Sequence, residues 1–318
     1  MDIIFLIPIY KDYIWGGNRL KKEFNKDTPY EITAESWEIS ANKNGMNIIS
    51  KGKWKGKSLE ELFNNKEIKG QIFGNNCLNM ERFPILIKFI DAKENLSVQV
   101  HPNNQYAQMY EKDFGKTETW YILDCKEKAK LICGLKGNVN RENIKEILKN
   151  RKIKDYLNYI NIEKGDCIYI TPGTVHAILS DVLVCEIQQN SDLTYRIYDW
   201  DRLDKEGNPR ELHIDKAIET IEFSNKVNII KENKEKVQNI LNSKYFNVER
   251  ITVDKEYKDN SNVNSFFAIN IIDGNGEICY KNKCINIKKG DSFIIPAQLG
   301  EYVIKGKITF LKTYISKE

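Results

Sequence analysis

Short runs of β-branched and aromatic residues, broken by Gly, Asn and Asp, dominate the chain, which is the pattern of an antiparallel sandwich or barrel. The segment from Leu96 to His101 shows it plainly. Leu96, Val98 and Val100 fall on one face of a strand, Ser97, Gln99 and His101 fall on the other, and Pro102 ends it. Helical periodicity is local. Ser58 to Glu61 reads as a capping box opening a helix with Leu59, Leu62 and Phe63 on one face. Residues 140–159 carry Ile144, Ile147 and Leu148 at helical spacing, and Ile214, Ala217, Ile218 and Ile221 repeat at i, i+3, i+4 and i+7. Helices this sparse pad sheets; they do not build a bundle.

Two stretches repeat one another. Lys164-Gly165-Asp166 precedes Ile168-Tyr169-Ile170-Thr171-Pro172, and Lys289-Gly290-Asp291 precedes Phe293-Ile294-Ile295-Pro296. Each predicts a tight turn, a strand and a closing proline. Two related β units are therefore expected, over residues 1–225 and 226–318. Their boundary is expected in the charged, core-poor stretch from about Lys226 to Lys244, and the N-terminal strands are free to pair with the second unit.

Composition narrows the function. Over 318 residues, 49 basic and 45 acidic side chains leave a net charge of +4, without long single-sign runs. That argues against a dedicated nucleic-acid or membrane-surface binder. No run approaches the ~20 apolar residues of a membrane span. Seven cysteines without CxxC spacing suggest neither a disulfide framework nor a cysteine zinc site, so a reduced, cytoplasmic protein is expected. Cys279 and Cys284 read as small core residues.

Period 2 sets Gln99 and His101 side by side, and Lys116, Glu118 and Trp120 share another face. His176 follows the first repeat's proline by four residues. Two histidines, one carboxylate and one amide form a mixed N/O set suited to Zn²⁺ or a similar ion, although a single histidine is more often an ordinary hydrogen-bonded residue. Only three histidines occur in the chain, and two of them fall in this set. No histidine follows Pro296, so the second unit is expected to be metal-free. Lys88 lies in an otherwise apolar strand. It is either a buried base near neutral pH or a stem that snorkels to a cleft mouth. Thr194, Arg196 and Tyr198 share a face, and Arg196 either holds an oxyanion or phosphate or pairs with Asp199 or Asp201.

The strings FPILIKFIDAKENLSVQVHPNNQYA, GKTETWYIL, TPGTVHAI and QQNSDLTYRIYDWDR, in this order and spacing, resemble the type I mannose-6-phosphate isomerases in their short bacterial form. IWGGNRL, ESWEIS and RELHIDKAIETI resemble the same family. The resemblance runs from about residue 8 to 225. It implies a mainly β fold of two cupin jelly-roll barrels, one divalent ion per chain, usually zinc, and a small sugar-phosphate substrate. The activity implied is the interconversion of mannose 6-phosphate and fructose 6-phosphate through a cis-enediol, in a monomer or homodimer. Gln99, His101, Glu118 and His176 match the metal ligands, and Arg196 matches an arginine assigned a catalytic role. Ser97, Lys88 and Lys116 match positions lining the sugar-phosphate pocket, the two lysines being candidates for proton transfer. The helical domain that longer members carry between the Glu118 and His176 motifs is missing. Two other readings compete: a cupin isomerase or epimerase acting on another sugar phosphate, and a catalytically silent sugar-binding cupin.

Overall fold

The structure, a computed structural model, describes residues 1–150, 152–203, 206–224 and 227–317. It is mainly β, as the alternation of apolar and polar positions predicts. A seven-stranded sheet runs in the order Asn228–Ile230, Cys167–Ile170, Glu118–Cys125, Val182–Gln189, Ile85–Ala92, Glu35–Ile39 and Ile9–Lys11. A five-stranded sheet runs Leu157–Asn161, Lys130–Leu135, His176–Ile178, Val98–Val100 and Tyr195–Tyr198. The ladders at the centre of both are antiparallel. The two sheets share one core, to which Ile90, Trp120, Ile122 and Ile168 come from the first and Leu131 and Ile178 from the second. Burying an aliphatic or aromatic side chain contributes about 1.5–3 kcal/mol, and this layer holds the two sheets face to face.

A third, nine-stranded sheet is built on two long strands, Phe267–Tyr280 and Glu301–Ile315. The N-terminal strand Ile4–Ile7 joins it, paired with Ser292–Ile295 on one side and Ile48–Ile49 on the other. A further core welds this sheet to the seven-stranded one. Phe266 meets Phe73 and Phe83 with ring centroids 5.7 and 5.3 Å apart, and Phe63 closes edge-on against both. Such aromatic pairs add about 0.5–1.5 kcal/mol beyond the area they bury.

The sequence repeat is a structural repeat down to single hydrogen bonds. At the first turn the Ile122 N–H donates to the Asp166 carbonyl and the Gly165 N–H donates to the Ile122 carbonyl, both at 2.9 Å. At the second, Ile271 makes the same two bonds with Asp291 and Gly290, again at 2.9 Å. The aspartate carboxylates close each turn on the residue three before, Glu163 in one and Lys288 in the other. Both glycines are left-handed, with φ of +90° and +94°.

The expected elements fare differently. Ser58 and Glu61 form the capping box, over a helix Leu59–Asn64 whose Leu59, Leu62 and Phe63 are buried. The helix Ile214–Thr220 forms with Ala217 inside. Residues 140–159 do not make one helix. They give two short ones, Ile144–Lys149 and Ile153–Tyr156, and Tyr159 lies in the strand Leu157–Asn161; Arg151, between the helices, lies outside the described residues. The strand's pairing to Lys130–Leu135 outweighs the helical spacing. Cys279 and Cys284 are not core thiols. They face each other across the hairpin of Phe267–Tyr280 and Lys283–Lys288 and are joined as a disulfide, one half-buried and the other exposed. Spacing along the chain hid the pairing because a tight hairpin brings residues five apart into register.

The two turn glycines predict a measurable contrast. A Cβ at either would occupy a left-handed conformation, costing about 1–2 kcal/mol. At Gly165 it would meet the Glu232 side chain, whose carboxylate end can swing away and whose Cβ lies 2.9 Å off, whereas at Gly290 it would lie 1.9 Å from the Phe24 carbonyl oxygen, with no side chain to yield. Gly290→Ala should therefore cost at least about 1 kcal/mol more than Gly165→Ala in chemical denaturation. Equal losses would show that the approach of Phe24 does not constrain the fold.

Candidate active site

The central strands of the two sheets carry the chemistry. His176 lies opposite Gln99 in one ladder, and Arg196 lies opposite Gln99 in the next. Across the core, Glu118 lies opposite Gln188, Glu186 opposite Lys88 and opposite Trp120. The antiparallel register therefore collects residues far apart in sequence onto facing inner surfaces.

His101, Glu118 and His176 converge completely buried. The Nδ1–H of His101 donates to the Leu193 carbonyl at 2.7 Å, and that of His176 donates to the Thr174 carbonyl at 2.8 Å. A carbonyl only accepts, so the proton sits on Nδ1 in both rings and each Nε2 carries a lone pair. Those two Nε2 atoms lie 3.1 Å apart. Glu118 sends Oε2 to 3.5 Å from His101 Nε2 and Oε1 to 3.4 Å from His176 Nε2. Lys116 pairs with Oε2 at 3.1 Å, while Oε1 has no donor. The Gln99 amide nitrogen lies 3.4 Å from His176 Nε2 and completes the cluster.

The charge states follow from burial. His176 is pushed down to about 4, chiefly by burial, and His101 falls well below the ordinary imidazole range through burial and the neighbouring Lys116. Glu118 is pushed up to about 7 by burial, against the pull of Lys116. Two neutral imidazoles, a carboxyl group and an amide thus converge on one point, with Lys116 against Oε2 and no donor on Oε1, and an N/O set so placed suits a divalent cation.

Above this cluster opens a cleft of about 310 Å³, whose wall includes Lys88, Ser97, Gln99, Lys116, Thr194 and Arg196. Every pocket residue singled out in the sequence is thus in the cleft or beneath it. Tyr198 is not. A register shift between Arg196 and Tyr198 turns its side chain away, into a separate, largely apolar groove. Ser97 leans on Gln99, its Oγ 3.3 Å from Oε1. Arg196 does not pair with Asp199 or Asp201. Asp199 is taken by Arg202 and Arg210, and Asp201 accepts from the Tyr198 hydroxyl. Arg196 instead donates through Nη1 to the Glu211 carbonyl at 2.8 Å, and its Nε is buried with no partner.

Of the two readings of Lys88, the base near neutral pH is not the one its surroundings favour. Burial does push the ammonium down, but Glu186 at 3.2 Å and Glu35 at 3.7 Å outweigh it and hold Lys88 above the ordinary lysine range. Those carboxylates line the cleft together with Asp192 and Arg210, and none of the four is among the site residues that the sequence singles out. The alternation in Glu186-Ile187-Gln188 was the available signal, because it puts Glu186 on the inward face. Glu186 is pulled down to about 2, where Lys88 and Lys116 overcome its burial, and its Oε2 accepts from Trp120 Nε1 at 3.0 Å.

Two family models match the chain. "Phosphomannose isomerase type I, catalytic domain" covers residues 3–132, and "Mannose-6-phosphate isomerase, cupin domain" covers residues 236–315. YvyI of Bacillus subtilis (strain 168) is 39% identical over 98% of both chains. "Mannose-6-phosphate isomerase ManA" of the same organism is 36% identical over 95% of this chain and 96% of the relative. The crystal structure of the mannose 6-phosphate isomerase from Bacillus subtilis superposes with a TM-score of 0.91 at 37% identity, covering 98% of this chain and 99% of that one. With relatives this similar matched over almost their full length, the chain belongs to the type I phosphomannose isomerase family.

Proposed function

We propose that this chain interconverts mannose 6-phosphate and fructose 6-phosphate, with one divalent ion, zinc, held by Gln99, His101, Glu118 and His176. The observation that carries this reading is the pair of imidazole lone pairs 3.1 Å apart, flanked by a buried carboxyl group whose Oε2 meets Lys116 and whose Oε1 has no donor. Lys116 meets this buried cluster on one oxygen only, and a divalent ion at its centre would satisfy the imidazole lone pairs and Oε1 as well. The relatives named above carry the isomerase description over essentially the whole chain.

The reaction moves a proton between C2 and C1 of the open-chain sugar and another between O1 and O2, by way of a cis-enediol. Its barrier lies in the acidity of the carbon, and any group that stabilises negative charge growing on O1 or O2 lowers it. When bound, the dication supplies Lewis acidity toward those oxygens. The protein's own part is positional and electrostatic. Lys88 and Lys116 bring two ammonium groups to the cleft, and the carboxylates of Glu35 and Glu186 keep Lys88 charged. Lys88 thus acts here as a fixed cation and hydrogen-bond donor. Ser97 steadies the Gln99 amide and faces the substrate. Arg196, with one arm anchored and Nε unpartnered, offers its remaining donors to an anionic oxygen of the sugar phosphate.

The direct test is a coupled assay for fructose 6-phosphate formed from mannose 6-phosphate, before and after chelation and with zinc restored. Activity should vanish on chelation and return with zinc; turnover unaffected by chelation would remove the metal from the reading. Elemental analysis should approach one ion per chain. The described residues of the C-terminal repeat offer no histidine, and the Cys279 and Cys284 sulfurs are tied in their disulfide.

Glu118→Gln should weaken zinc affinity by at least about a hundredfold, because a neutral oxygen replaces the set's one anion. Titration against a chromogenic chelator measures this, and unchanged affinity would refute the site. Arg196→Lys keeps the charge but loses the planar fork, so kcat/KM should fall about 10–100-fold at unchanged thermal stability. A variant that melts early while its folded fraction remains fully active would make Arg196 a structural residue.

A further inference from the structure

The strand that carries Arg196 is followed by a buried carboxylate that no part of the proposed reaction uses. Asp199 is 6% exposed, and it takes two guanidinium groups at once. Arg210 closes on it with a two-point fork, Nε to Oδ2 and Nη2 to Oδ1, both at 2.7 Å, while Arg202 Nη2 donates to Oδ1 at 2.5 Å. Bidentate, charge-assisted pairs of this kind fix orientation as well as energy. Burial opposes ionisation, but the two arginines hold the Asp199 carboxyl below its ordinary range.

The segment tied down by that fork touches Arg196 at three points. The Glu211 carbonyl accepts from Arg196 Nη1 at 2.8 Å, the His213 N–H donates to the Arg196 carbonyl at 2.8 Å, and the Arg196 N–H donates to His213 Nδ1 at 3.3 Å. Arg210 itself lines the cleft beside Arg196, and its charge is one of the influences that hold Arg196 below its ordinary range after burial. Two guanidinium groups side by side repel one another, and the Asp199 carboxylate is placed to neutralise one of them. A side chain as flexible as arginine loses rotamer entropy when it is fixed, so an arginine held ready must be held by something. Here it is held by a backbone carbonyl that is itself held by an ion pair.

We infer that Asp199 is a positioning residue: through its fork with Arg210 it clamps residues 210–213 against the Arg196 strand and so aims the Arg196 guanidinium into the cleft. This rests on the reading of Arg196 as the group that meets the substrate's anionic oxygen. Asp199 touches neither the cleft nor the metal-suited cluster, and its influence passes through Arg210 and Glu211.

The test is a double-mutant cycle on the zinc-loaded enzyme with a second readout that does not depend on turnover. Asp199→Asn keeps shape but removes the charge that two arginines share, and it should lower kcat/KM about tenfold. In an Arg196→Lys background the same change should cost less than twofold, because the group it aims is already gone. Losses that multiply across the cycle, or no loss from Asp199→Asn alone, overturn the inference. Arg210→Lys is the companion variant. It leaves Asp199 neutralised by two cations but abolishes the fork, and it should show the same loss and the same coupling to Arg196. Amide hydrogen exchange at His213 reads the clamp directly. It should quicken about tenfold in Asp199→Asn and in Arg210→Lys, and unchanged exchange in both overturns the clamp whatever the kinetics show. A clamp seen by exchange in a protein that does not isomerise mannose 6-phosphate would leave the positioning intact and refute only the proposed substrate.

Discussion

Electron-rich atoms cannot be packed together in a dry interior unless something positive comes with them. His101, Glu118 and His176 press against this limit, since two lone pairs and two carboxylate oxygens crowd within 3.5 Å with Lys116 against Oε2 alone. A buried polar group left unserved costs about 1–3 kcal/mol, and more if it is charged. The surrounding protein spends much of its order on holding this arrangement. Both histidines have their tautomers fixed by backbone carbonyls, the ladder fixes Gln99 against His176, and Lys116 reaches in from the cleft. Crowding at one point is sustained by a rigid scaffold of strands, which is what a preorganised cluster of ligand atoms requires.

Around that centre the charges alternate. Outside Glu118 come Lys116 and Lys88, outside Lys88 come Glu35 and Glu186, and each acid is tied by an indole N–H, from Trp37 for Glu35 and Trp120 for Glu186. Every buried charge thus has an opposite neighbour, which keeps the burial cost from expelling the chain into solvent. The same alternation explains why Lys88 stays protonated. Considered alone in an apolar strand, it looks like a base; considered with its neighbours across the ladder, it is one member of a fixed array.

How far the sequence could be read depends on the range of each interaction. The strand faces of Ser97, Gln99 and His101 and the Gly-Asp turns are local, and they were legible from alternation and turn chemistry. So was the set of side chains facing the cleft, apart from those supplied by register. Lys88 with Glu186, Cys279 with Cys284, and Tyr198 turned away from Arg196 all depend on which residue lies opposite which, and on bulges that shift the pairing. Alternation tells which face a side chain takes but is silent about its partner on the next strand. Residues 140–159 failed for the same reason, since a nonlocal ladder overrode a local period.

The repeat shows how little separates a unit with a polar inner surface from one with an apolar inner surface. Both Gly-Asp turns make the same backbone bonds and lead into a strand of four residues, with a proline directly after the second and one residue further on after the first. After the first, Thr174 turns its carbonyl back to His176 Nδ1 and the ring is delivered inward in a single tautomer. After the second, the chain supplies Ala297 and Leu299, both buried, and the inner surface is filled by Phe293, Ile295 and Tyr302. An apolar filling gains the full hydrophobic term and demands no partner. A polar filling has to be satisfied by a ligand and by the clamps that aim its side chains. The backbone of the repeat is compatible with either, so the difference between them lies in a few inward-facing positions and in the ion pairs that hold those positions in place.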